Sequence, residues 1–105
     1  MKRGEVWLVT LDPTVGSEIQ KTRPCVIVSP DELNGVLRRI IVAPMTSRSH
    51  PAPFRIATVF RRKPGLILLD QIRTVDCKRL ATRLGVVDDV ALASALAILV
   101  GMFGE

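Results

Sequence analysis

Apolar residues fall in short, largely β-branched runs divided by turn residues, the pattern of a strand-rich chain. Residues 5–11 (EVWLVTL) predict a first strand. Residues 12–22 carry turn formers and little apolar content, so an irregular loop is expected there. Residues 23–29 predict the central strand. Its run Cys25, Val26, Ile27, Val28 has the composition of a strand buried on both faces. Pro24 has no N–H and belongs at the first residue of that strand or on a sheet edge. It also pushes Arg23 into an extended conformation, which fixes one guanidinium at the strand's mouth.

Ser29, Pro30, Asp31 and Glu32 read as an N-cap followed by Pro at the first helical position. The single helical turn they open stops near Asn34 and Gly35. Further strands are predicted over residues 38–44, 54–60 and 65–69, with a short one over 80–84. The Pro-containing stretch 48–53 reads as a flexible loop. Asp88 then caps a helix running to about Phe103. Many short strands and one terminal helix give a single domain over residues 1–105, mainly β in the α+β sense, built as a small antiparallel barrel or strongly curved sheet.

That terminal helix has no charged residue from Val90 to Phe103; only Ser94 and Gly101 interrupt its apolar surface. A helix lying on a protein surface should carry a polar face, and this one is too short to span a bilayer. One face packs on the sheet, and the other is expected to meet a second copy, giving a homodimer through the C-terminal helix.

Composition agrees with a soluble globular chain, at 48% hydrophobic and 24% charged residues. Aromatics are few, so the core must come from Val, Ile and Leu. No basic-then-apolar leader follows Met1 and no apolar run is long enough for a membrane span, so a cytoplasmic protein without a membrane partner is expected. Cys25 and Cys77 form no C-x-x-C and have no histidine beside them, which argues against a zinc site or a disulfide framework. The net charge is +5, and no Asp or Glu interrupts the interval between Glu32 and Asp70, which holds Arg38, Arg39, Arg48, Arg55, Arg61, Arg62 and Lys63. Such a one-signed stretch attracts anionic polymers. With few aromatics for stacking, a nucleic acid would be held mainly by charge and hydrogen bonds.

The candidate chemistry gathers at strand ends. If the strands 23–29 and 38–44 are antiparallel neighbours, a symmetric register sets Arg23 opposite Pro44, with Thr46 and Ser47 just past the same edge. The strand 65–69 also ends in polar groups, Asp70, Gln71 and Arg73, and the loop before Arg23 can lay Ser17, Glu18 and Gln20 over the cluster. A guanidinium, hydroxyls and carboxylates at one rim suit a phosphodiester, since Arg forks onto phosphate oxygens and hydroxyls donate to them as charge builds. Other constellations are poorly supported. His50 is the only histidine, no nucleophile elbow is present, and no Gly-rich phosphate cradle follows a strand. Glu18 and Asp70 could share a divalent ion, yet nothing in their spacing asks for one, so no metal or other cofactor is expected.

These segments carry a resemblance. RGEVWLVTLDPTVGSE (3–18), the TRP opening of the central strand followed by VIVSP, VAPMTS (42–47) and GLILLDQIRTVD (65–76) run in one order over nearly the whole chain. The sequence resembles the MazF/PemK family of toxin endoribonucleases, the toxic half of bacterial toxin–antitoxin pairs. The resemblance implies an SH3-like barrel of the CcdB/PemK type, a homodimer, single-stranded RNA cut at short motifs, and an antitoxin that occupies the RNA groove. It implies catalytic roles for Arg23 and Thr46, and for Asp70, which takes one in some relatives. Ser17, Glu18, Gln20, Ser47, Gln71 and Arg73 are the expected RNA-contacting residues. Some relatives have His where this chain has Ser17, and Arg where it has Leu68, so mechanisms needing those side chains are closed to it.

The expected reaction is attack of a ribose 2′-OH on the adjacent phosphate, with Arg23 anchoring the phosphate and Thr46 donating to it. Asp70 or Glu18 is a chemically easier base than a guanidinium, which stays protonated at physiological pH. Two alternatives stand beside this: a gyrase-binding toxin of the same fold without nuclease activity, and a barrel that holds RNA without cutting it.

Overall fold

The computed structural model describes residues 1–11, 21–48 and 50–104. In these, β1 (Glu5–Thr10), β2 (Thr22–Ile27), α1 (Asp31–Asn34), β3 (Arg39–Thr46), β4 (Arg55–Phe60), β5 (Lys63–Leu68), β6 (Arg73–Asp76), β7 (Leu80–Val86) and α2 (Asp89–Phe103) follow in order. Short 3-10 turns at Leu69–Gln71 and Cys77–Arg79 flank β6. The sheet is antiparallel, in the order β4-β5-β3-β2-β1-β7, with β6 also pairing β3.

β3 is the strand on which the sheet turns. Arg39 to Val42 pair with β6, while Met45 and Thr46 pair with β5, so its two halves face different neighbours along one side. The sheet curls into a half-barrel, and its outer strands approach each other through side chains. The Phe60 ring on β4 lies 3.2 Å from where a Cβ would stand on Gly85 of β7. Gly85 also has φ +152°, so glycine serves there twice over.

The run Cys25 to Val28 is buried on both faces, as its composition predicts. Val26 and Val28 join one apolar cluster with Ala43, Met45, Ile67 and α2. Cys25 and Ile27 join the other with Val9, Ile40 and Val42. Burial pushes the Cys25 thiol up to about 12, so it is no nucleophile at neutral pH. α2 seats Ala91 and Ala95 on the first cluster, and the Asp88 side chain caps it by accepting from Ala91 N at 2.8 Å.

Several local expectations change. β6 was not foreseen as a strand: it is short, and only Val75 of its residues is buried. Ser29 does not cap α1; Pro30 holds that position. The Ser29 hydroxyl is instead committed to a buried network, donating to Asn34 Oδ1 and accepting from Ile41 N at 3.0 Å. Pro24 is the third residue of β2 rather than the first, yet β3 pairs only from Cys25 onward. Residues 22–24 have β1 alone as partner, so the strand is locally an edge where a missing N–H is tolerated.

Candidate active site

The β2–β3 register is two residues away from the symmetric one. Cys25 stands opposite Pro44, Val26 opposite Ala43 and Ile27 opposite Val42. Continued past the ladder, this register would set Arg23 opposite Thr46, where the symmetric one sets it opposite Pro44. Both line one groove of about 330 Å³, with Ser47, Phe60, Arg61 and Lys63 among its walls. Three of these are cations, and no acid or histidine lines the groove among the described residues.

Arg23 is half-buried, and its Nε is buried with no hydrogen-bond partner among the described residues. A buried donor without an acceptor costs about 1–3 kcal/mol, so this Nε wants an acceptor that the described residues do not supply. The Thr46 Oγ1 accepts from Arg48 N at 3.2 Å, which leaves its O–H available as a donor. Thr46 lies inside β3 rather than beyond it, because the strand runs two residues further than expected. A strand is the more rigid platform of the two.

The wall opposite β2 comes from the β4–β5 hairpin. Phe60 pairs with Lys63, leaving Arg61 and Arg62 as its turn. Both have left-handed backbone, φ +51° and +66°, a conformation that costs a residue with a Cβ about 1–3 kcal/mol. The Arg61 guanidinium lies over the Phe60 ring, 5.9 Å from its centroid.

The polar end of β5 is not brought to this groove. β5 runs antiparallel to β3 with Thr46 opposite Leu66, so the chain from Leu66 to Asp70 leads back along β3 and away from Thr46. Asp70 accepts from Arg55 Nε at 3.1 Å and Nη2 at 2.9 Å. These bonds hold its carboxyl below the usual carboxylate range. Gln71 ends the same 3-10 turn. Arg73 donates to Leu11 O at 2.8 Å, tying β6 to the end of β1. Ser17, Glu18 and Gln20 lie outside the described residues. Thus Arg23, Thr46 and Ser47 come together, and Asp70, Gln71 and Arg73 stand elsewhere.

A family model for "PemK-like, MazF-like toxin of type II toxin-antitoxin system" matches residues 2–103. The chain belongs to that family. Endoribonuclease PemK of Escherichia coli is 46% identical to it over 83 residues, which are 74% of this chain and 62% of that protein. The chain therefore spans less than two thirds of this relative's length. The crystal structure of MazF from Deinococcus radiodurans matches with a TM-score of 0.87 at 27% identity, over 100% of this chain and 97% of that one. A MazE–MazF crystal structure from the same organism matches at 0.76 and 28% identity, again over 100% and 97% of the two chains. The curled sheet with its C-terminal helix is the fold of these MazF structures.

One feature of this PemK-like chain was not legible in its sequence. Arg55 stands opposite Leu68 across the β4–β5 ladder, and from there it supplies the guanidinium that reaches Asp70. Residue 68 itself cannot. The pairing joins residues far apart in sequence, so no spacing along the chain announces it.

Proposed function

We propose that this PemK-like toxin is a metal-independent, sequence-specific endoribonuclease that cuts single-stranded mRNA. The observation that carries this reading is the shared groove of Arg23 and Thr46, with Arg23 Nε buried and unpartnered among the described residues. A phosphodiester supplies the missing acceptor. The ribose 2′-oxygen loses its proton and attacks the adjacent phosphorus, the bond to the 5′-oxygen breaks, and that oxygen takes a proton from water, leaving a 2′,3′-cyclic phosphate and a 5′-hydroxyl. Arg23 binds the phosphate oxygens and balances the charge that gathers on them. Thr46 donates a hydrogen bond to the same group, and Ser47 extends the polar wall.

Asp70 stands off the groove, so in this reading it takes the 2′-OH proton through an intervening water rather than directly. Arg55 keeps it ionised but weakly basic, and it stands off the groove wall, so its share of the rate is smaller than that of Arg23. Glu18 is the other carboxylate in this reading, and Ser17, Gln20, Gln71 and Arg73 complete the proposed RNA-contacting set.

A toxin of a toxin–antitoxin pair implies a cognate antitoxin, and an acidic or apolar segment covering this cationic groove would silence it. The proposed assembly is a homodimer through α2, whose outward side leaves Val90 76%, Val100 71% and Phe103 73% exposed. The proposed site of action is the cytoplasm, where mRNA is found.

Incubating the purified protein with a long RNA in chelator, then mapping the new 5′ ends, tests the reading. Cuts at a short recurring motif with 5′-hydroxyl ends are expected. Loss of cutting in chelator, or cutting at a 2′-deoxy scissile position, contradicts it. RNA bound but left intact would make the protein a binding barrel.

A further inference from the structure

The hairpin that closes the groove carries a sequence ill-suited to its own geometry. A two-residue turn with φ positive at both positions asks for Asn-Gly, because residues with a Cβ are disfavoured there. This chain places Arg61 and Arg62 in it, at φ +51° and +66°. Among the described residues, neither they nor Lys63 makes an ion pair with an acid. The fold therefore gains no ion pair from these three cations, two of which sit at strained positions. Arg61 is nevertheless held in place. Arg61 rests over the Phe60 ring, and that ring packs against Gly85 of the facing strand. Arg61 and Lys63 line the same groove as Arg23 and Thr46.

The geometry points to the hairpin Arg61–Arg62–Lys63 as a second phosphate grip, which holds the RNA backbone beside the scissile phosphate on Arg23 and Thr46. This rests on the RNA-cleaving reading above. A guanidinium lying on an aromatic face still has its N–H edge free for phosphate oxygens. Strain kept at the rim of a groove, offset only by one ring contact, fits a positioning element. The hairpin positions the strand and makes no bond to the reacting atoms.

The test is the double variant Arg61→Asn, Arg62→Gly, which gives the turn its preferred residues and removes two charges. Melting temperature should rise by a few °C while RNA binding weakens. In cleavage assays KM should rise about tenfold or more, with a much smaller fall in kcat. Binding of an oligonucleotide made uncleavable by 2′-deoxy at the scissile position should lose salt dependence, its log–log slope falling by about 0.7 per phosphate contact removed. Arg38→Ala, Arg39→Ala serves as control, removing the same charge at the opposite end of β3 from Thr46. Loss in the hairpin variant alone supports the grip. An unchanged affinity and slope overturn it, as does an equal loss in the control, which would mean bulk charge only. Normal RNA binding with lost binding of an acidic peptide overturns it too. If the wild-type protein binds the oligonucleotide but cuts no RNA, the nuclease reading fails and the binding slopes still decide the grip; if it does not bind, both fall.

Discussion

A Cβ on residue 65 would stand 2.9 Å from the Thr46 carbonyl oxygen, so Gly65 is what lets β5 lie against the end of β3. The contact is with backbone, which cannot swing aside as a side chain would. Gly65→Ala must therefore shift the backbone where β5 meets Thr46. A displacement near 1 Å at a reacting group costs on the order of 10²-fold. Single-turnover cleavage should fall about 10- to 100-fold, with RNA affinity less affected. An unchanged rate would mean that Thr46 need not be held where it is.

Thr46 contributes a hydroxyl and not bulk. Thr46→Ala should slow cleavage by about 10² to 10³, the worth of one preorganised donor to a developing oxyanion. Thr46→Ser keeps the donor and should recover most of that loss. Equal damage from both substitutions would assign Thr46 to packing instead.

How much of this could be read beforehand depends on what a linear pattern encodes. The strands of Val26 and Ile41 and the helix that is charge-free from Val90 were legible, because burial on more than one face leaves unbroken apolar runs. Absolute register was not. Side chains alternate with a period of two, so setting Cys25 or Arg23 opposite Pro44 puts the same residues on the same faces. β6 escaped notice because Val75 alone among its residues is buried. β5 begins at Lys63, two residues before its apolar run, because backbone pairing with Phe60 extends it. No glycine or asparagine marks Arg61 and Arg62 as a turn. The partnership of Arg55 with Asp70 spans 15 residues and needed the folded ladder.

That partnership makes a pH prediction. Arg55 lowers the Asp70 carboxyl below its ordinary value of 3.8. A depressed folded-state pKa contributes stability above the unfolded value, and the contribution disappears as pH falls through the folded one. Asp70→Asn should therefore lower the urea midpoint at pH 7, and the gap to the wild-type protein should close as pH falls below about 3.8. A gap that stays constant down to pH 2 would mean the pair contributes no linkage. For activity, Asp70→Asn should cost less than Arg23→Ala.

Self-association is tested at Val100, 71% exposed on α2. Val100→Glu leaves the protomer's own packing intact, yet buries a charge if a second copy covers this side. Sedimentation should find a dimer for the wild-type protein and a monomer with unchanged circular dichroism for the variant. Identical sedimentation of the two would place any dimer contact elsewhere.

The central claim is that Arg23 and Thr46 act on one phosphate, and a double-mutant cycle on cleavage rate measures it most directly. With folding verified for each protein, Arg23→Ala should slow single-turnover cleavage by about 10³ or more, and adding Thr46→Ala should cost little beyond that, because groups that act as a unit are not additive. Losses that multiply in full, or an Arg23→Ala protein within about tenfold of the wild-type rate, would contradict it.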